Sequence, residues 1–118
     1  MREIYVFGTD RAGRHDDGSA IHAAEAFGAQ LGVSDGATGN AYAITTRGPN
    51  SEQVPFREID AALCRLLDYA VNMPDARFLL EPVGTGVAGH LKSDVWDVLK
   101  REGLPRNVML TSTWVTDW

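Results

Sequence analysis

Two glycine-rich corners constrain this chain more than any other feature: VFGTDRAGRHDDGSA at residues 6–20 and EPVGTGVAGH at residues 81–90. Each follows an apolar run with β character, and each leads into a segment with helical spacing. Glycine at such a hand-over permits a positive φ and lets a ligand come close to main-chain N–H groups. The helix that follows aims its unsatisfied N–H groups and positive dipole end at the same place. A chain with two such corners is expected to build one site from both.

Between the corners, strand-like and helix-like segments alternate. Residues 3–7 are β-branched and aromatic and end at Gly8, the signature of a strand. Residues 19–31 place Ile21, Ala24, Phe27 and Leu31 at helical spacing, with entry near Gly18 and Gly28 small enough for close packing. GVSDGATGN reads as a loop, AYAITT at 41–46 as a short strand and RGPNSEQ as a turn. Pro55 suits a first helical position. Phe56, Ile59, Leu63, Leu66, Leu67 and Ala70 then form one apolar stripe, and Pro74 stops the helix. Residues 77–83 predict a strand. Residues 93–102 predict a helix with Val95, Trp96 and Leu99 inward and Gly103 and Pro105 beyond its end. Residues 106–114 predict a last strand. The alternation predicts a single α/β domain over 1–118, a three-layer α/β/α arrangement around a mostly parallel sheet. Pro82 lacks a ladder N–H and belongs only at the end of its strand.

Composition narrows the classes. With 118 residues the chain builds one core. No apolar stretch approaches the ~20 residues that span a bilayer. The N-terminus has no signal-peptide layout, so a soluble cytoplasmic protein with no membrane partner is expected. A net charge of −5 argues against general nucleic-acid binding. Arg11 and Arg14 nevertheless bring positive charge into the first corner. Cys64 is the single cysteine; on an apolar helical stripe it is expected to be a buried structural thiol. His15, His22 and His90 are scattered and no Cys/His cluster has zinc spacing, so neither a metal nor a cofactor is expected. No pattern specifies the oligomeric state.

In an open parallel sheet, ligands bind outside the carboxyl ends of the strands, where both corners fall. GTGVAG has no Lys-Ser/Thr after its glycines and is not the lysine-bearing phosphate loop. GTDRAGRHDDG is not the spaced glycine triplet of a dinucleotide fold. What remains is main-chain recognition of a phosphate or diphosphate, with tight structural turns as the alternative at each glycine.

The ordered set of segments resembles a macro domain, the ADP-ribose-binding module. VFGTDRAGRHDDGSAIHAA follows the family's layout of a strand, a turn and a glycine-rich loop entering a helix. AYAITTRG resembles the next strand. FLLEPVGTGVAG, with its proline and three glycines in order, resembles the family's second loop. There are departures: the adenine-holding Gly-Asp-Ile strand is missing, the turn Asn appears as Asp10, and the triple glycine is only DDG.

The resemblance implies a small-molecule nucleotide ligand, ADP-ribose or a related nucleotide diphosphate. It places Gly8, Asp10, Gly18, Ser19 and Ala20 on the first loop. Gly84, Thr85, Gly86, Val87, Ala88 and Gly89 wrap the diphosphate. It also implies a hydrolase that acts on an ADP-ribosyl derivative or removes the phosphate of ADP-ribose phosphate, with Asp10 or His15 as base. Asp16 and Asp17 are weaker candidates, since adjacent carboxylates repel a diphosphate unless they point away. Glu81, an acid in an apolar strand, is expected to pair with an arginine such as Arg47. The alternative function is a non-catalytic macro-like scaffold, of the kind a phage genome carries, acting through protein–protein contacts. Trp114 and Trp118, alternating in the terminal strand, would either supply that surface or cover the sheet.

Overall fold

The computed structural model describes residues 2–14, 18–50, 52–86 and 88–116. Its elements run β1 (Arg2–Asp10), α1 (Gly18–Phe27), β2 (Gly36–Thr38), β3 (Ala41–Arg47), α2 (Phe56–Val71), β4 (Ala76–Leu80), α3 (Lys92–Glu102) and β5 (Val108–Leu110), followed by a 3₁₀ turn at Ser112–Val115. They form an α/β fold around one five-stranded sheet of order β2-β3-β1-β4-β5. β1 lies at the centre, parallel to β3 and β4, and β5 is parallel to β4. β2 runs antiparallel to β3, so the sheet is mixed. It falls within the stretch read as loop, because GAT is too short and too small to carry a strand pattern of its own.

The strand order dictates where the helices go. Connections between parallel strands are almost always right-handed, so reversing the direction of travel across the sheet moves the helix to the other face. The chain passes from β1 to β3 in one direction, then back over β1 to β4 and on to β5. α1 therefore lies on one face and α2 with α3 on the other. Alternate residues of β1 record this. Ile4 and Val6 pack with Ile59, Leu63, Leu66, Val95 and Leu99, whereas Tyr5 and Phe7 pack with Ala20 and Ala23. The central strands are buried on both faces, as continuous apolar runs require.

α2 buries Ile59, Ala62, Leu63, Leu66, Leu67 and Ala70 along the stripe expected for it, with Phe56 half-buried at its start. Pro55 is its N-cap and not its first helical residue. α1 departs more from expectation. It stops at Phe27, where Gly28 takes φ +73°. Its buried residues are Ala20 and Ala23, whereas Ile21 and Leu31 are exposed. The rings of Tyr5 and Phe7 lie under this face, where Ala20 and Ala23 pack on them, and Phe27 at the helix end stacks on Tyr5 with centroids 5.0 Å apart. Cys64 is half-buried, with Sγ 3.6 Å from Asp60 Oδ1 and 3.7 Å from Arg101 Nη2.

β4 ends at Leu80, short of the expected Val83, since Pro82 has no N–H to offer a ladder. β5 is only three residues long. Trp114 lies in the 3₁₀ turn after it and donates Nε1–H to Leu80 O at 2.8 Å, while Thr111 N–H donates to the same carbonyl at 3.2 Å. Trp96 was expected inward. It sits at the surface, edge-on to Trp114 with ring centroids 6.3 Å apart. Trp118 lies outside the described residues. No helix among the described residues is long and apolar enough to cross a membrane.

Asn107 joins three elements. Its Nδ2 lies 2.9 Å from Ala70 O, 3.0 Å from Met73 O and 3.1 Å from Ala76 O, so one amide serves the end of α2 and the start of β4. Asn107→Ala removes a donor shared by three carbonyls, of which Ala70 O keeps the Met73 N–H and Met73 O keeps the Ala76 N–H, so it should cost about 0.5–1.5 kcal/mol. Urea denaturation should show a lower midpoint with an unchanged slope.

Candidate functional site

The first loop is built on Asp10. A register shift between Thr9 and Asp10 breaks the β1–β3 ladder at its carboxyl end. Such bulges re-aim a side chain. The Asp10 side chain is 1% exposed; Oδ1 accepts the Arg14 N–H at 3.1 Å and Oδ2 accepts Arg14 Nε at 2.7 Å. Arg14 also donates to Pro49 O. Gly13 closes the turn with its N–H on Asp10 O at 2.9 Å, at φ +68°. A Cβ on Gly13 would lie 2.7 Å from the carbonyl carbon of Gly32, so this glycine is required by close backbone approach.

Burial alone raises the Asp10 pKa. The Arg14 N–H and guanidinium, with the charge of Arg47, outweigh it and hold the carboxyl below its ordinary value. A carboxyl depressed in the folded state contributes stability that is present above its unfolded pKa, near 3.9. That contribution is lost as pH falls through the folded value. Asp10→Asn should therefore be less stable than the parent at pH 7. The gap in urea midpoint should close as both are titrated from about pH 5 toward pH 2.

The second loop is laid down by a run of internal hydrogen bonds. Val83 N–H donates to Glu81 O at 2.8 Å, Thr85 N–H to Pro82 O at 3.3 Å, Gly89 N–H to Gly86 O at 3.0 Å and His90 N–H to Gly84 O at 2.8 Å. The Thr85 hydroxyl adds a 2.6 Å bond to Pro82 O. Gly84 and Gly89 have φ of +78° and +81°, which other residues rarely adopt. Two tethers hold the loop from outside: Gln53 Nε2 donates to Ala88 O at 2.8 Å, and His90 Nε2 lies 3.0 Å from Val54 O. Among the described residues, the N–H groups of Gly84, Gly86 and Ala88 carry no hydrogen bond.

Those three residues line a cleft of about 140 Å³ with Gly8, Gly18 and Ser19, so the two corners do meet. A Cβ on Gly8 would fall 3.1 Å from Thr46 Cγ2 and 3.7 Å from Gly84 N, which measures how closely they approach. Thr46 and Arg47 at the end of β3 line the same cleft, as do Glu81, Pro82 and Val83 after β4. The cleft sits at the carboxyl end of β1. There the helix leaving β1 and those leaving its neighbours depart on opposite faces, the crevice where open α/β sheets take their ligands.

Four of the expected residues do not line it. Asp10 is buried beneath the first loop, Ala20 packs into the core, Thr85 is turned to Pro82, and Gly89 makes the exit turn. His15, Asp16, Asp17 and Val87 lie outside the described residues. Arg47 was anticipated only as a partner for Glu81. It is 4% exposed and its charge also acts on Asp10. The signal for it was its place directly after AITT, at the carboxyl end of a strand next to β1. Glu81 instead accepts the Tyr5 hydroxyl through Oε1 at 2.7 Å. Among the described residues, no group of three or more His, Cys, Asp or Glu side chains is placed to hold a metal ion.

These features define an open α/β protein with a cleft of main-chain donors at its topological switch point. In comparisons with known proteins, no family model, no curated protein and no solved structure matches the chain.

Proposed function

We propose that the cleft binds the diphosphate of ADP-ribose or a related nucleotide, in a macro-domain-like three-layer α/β/α protein. The observation that carries this reading is the set of uncommitted N–H groups of Gly84, Gly86 and Ala88 in the cleft wall, between hydrogen-bonded neighbours that hold them in place. Main-chain N–H groups without partners along one concave loop are the kind of donor that anion-binding sites use. Gly18 and Ser19, the first residues of α1, line the same cleft, and the first N–H groups of a helix have no partner within it. Arg47 adds positive charge in a chain that is acidic overall.

Magnitudes restrict the ligand. Hydrogen bonds to a charged group contribute about 1.5–3 kcal/mol each. Three of them roughly offset the ~4–15 kcal/mol of freedom lost on association. A bare anion is therefore held weakly, and affinity requires the rest of the nucleotide. The cleft of about 140 Å³ is also smaller than pockets that enclose whole ligands, typically ~300–1,000 Å³. It suits the diphosphate, with the nucleoside lying across its rim. The support is for binding. Asp10, the carboxylate expected to act as base, spends both oxygens on Arg14.

A millimolar excess of ADP-ribose should raise the melting temperature by more than AMP does, because a ligand bound only to the native state stabilises it. ADP and NAD are the further comparators. No shift with any of them, in a protein that melts cooperatively, would overturn the reading. Gly86→Val puts a branched side chain into the cleft wall and should abolish the shift while the variant still folds.

A further inference from the structure

The connection from β3 to α2 touches both loops of the cleft. It doubles back on itself: Gly48 N–H donates to Glu52 O at 2.7 Å, and Gln53 returns as an antiparallel bridge to Arg47. Asn50 N–H on Glu52 Oε2 at 2.9 Å braces the tip. The first loop is held where Arg47 O accepts the Arg11 N–H at 2.8 Å and Pro49 O accepts the Arg14 guanidinium. The second loop is held by Gln53 Nε2 on Ala88 O at 2.8 Å and by Val54 O against His90 Nε2 at 3.0 Å. None of the described residues from 48 to 54 lines the cleft itself.

The Gln53 contact falls where the donors are set. The Ala88–Gly89 peptide has two partners: its N–H is on Gly86 O at 3.0 Å and its carbonyl is on Gln53. It adjoins the uncommitted Ala88 N–H and is tied to Gly86, so it bears on two of the three residues whose donors remain in the cleft wall. Gly89, at φ +81° with no Cβ, resists rotation of that peptide little, and its orientation rests on these two bonds. Gln53 is in turn placed by its bridge to Arg47 and by Val54 beside it, which is buried. We propose that the β3–α2 connection is a clamp spanning both loops, and that Gln53 is the positioning residue through which it presets the anion donors and sets the affinity of the cleft without touching the ligand. The inference rests on the anion-binding reading of the same cleft. Donors held in place before binding lose less freedom when they are used than donors on a loosened loop.

Calorimetry of the purified chain against ADP-ribose, beside urea denaturation, tests this. Gln53→Met keeps the length of the side chain and removes its donor. Because Gln53 is exposed, the urea midpoint should stay at the parent's value. The affinity for ADP-ribose should fall about threefold to tenfold, the order set by the freedom that one loosened group must give up on binding. Gln53→Lys returns an N–H donor on a side chain long enough to reach Ala88 O. Compared with the parent at about 1 M salt, where charge is screened beyond roughly 3 Å, it should recover most of the lost affinity. If Gln53→Met binds ADP-ribose as tightly as the parent, the clamp does not set the affinity. If its affinity falls only together with the urea midpoint, or if Gln53→Lys recovers nothing, the contact is structural and the inference is wrong, although the cleft still binds the nucleotide. If the parent itself does not bind ADP-ribose, the anion-binding reading fails and this inference falls with it.

Discussion

The structure depends on the position of β1. It is the first strand in the chain and the central strand of the sheet, parallel to β3 on one side and β4 on the other. Because right-handed connections must leave β1 by one face and its neighbours by the other, no helix closes over its carboxyl end. The opening there is a product of connectivity and does not depend on any one side chain. What the side chains decide is what surrounds it. Gly8 leaves room for the Thr46 side chain on the neighbouring strand, and Gly13 locks the first loop against Gly32.

The second loop is organised by its own hydrogen bonds. Its internal bonds use the N–H groups of Val83, Thr85, Gly89 and His90, and the carbonyl of Ala88 is tied to Gln53. The donors left over among the described residues, on Gly84, Gly86 and Ala88, belong to residues that line the cleft. Groups already held in a binding arrangement lose little freedom when they are used, so their hydrogen bonds contribute more to affinity than those of a loose loop would. The first loop is organised in the same way, through the Asp10–Arg14 pair. That pair lies nearly buried at its acidic end, where breaking one partner leaves the other exposed to the cost of burial.

Much of this was legible in the residues. The alternation of elements, the stripe on α2 and the convergence of the two glycine corners follow from spacing and from where chains leave parallel strands. Two kinds of feature were not legible. One was packing phase. α1 presents Ala20 and Ala23 to the sheet instead of Ile21 and Leu31, because the room above Tyr5 and Phe7 is set by residues on a different element. The other was partner choice between distant segments. Glu81 with Tyr5 and Asn107 with three carbonyls follow from the folded register, and no local pattern announces them. Trp96 and Trp114 illustrate the same limit. The short β5 gives way to a 3₁₀ turn, so the expected alternation of a long terminal strand never forms.

The central place of the first strand also bears on how the chain reaches its native state during synthesis. Tyr5 leaves the ribosome before its cross-strand neighbours, Ala41 and Leu79. One edge of β1 waits for β3 and the other for β4, and until then its apolar run of Ile4 to Phe7 is uncovered. Contacts of such long sequence separation slow folding and leave strand edges open to association with other chains. In the finished fold both edges of β1 are covered by neighbours, and the exposed edges of the sheet are the three-residue strands β2 and β5. The hazard is thus confined to the period of assembly, and short edge strands limit it afterwards.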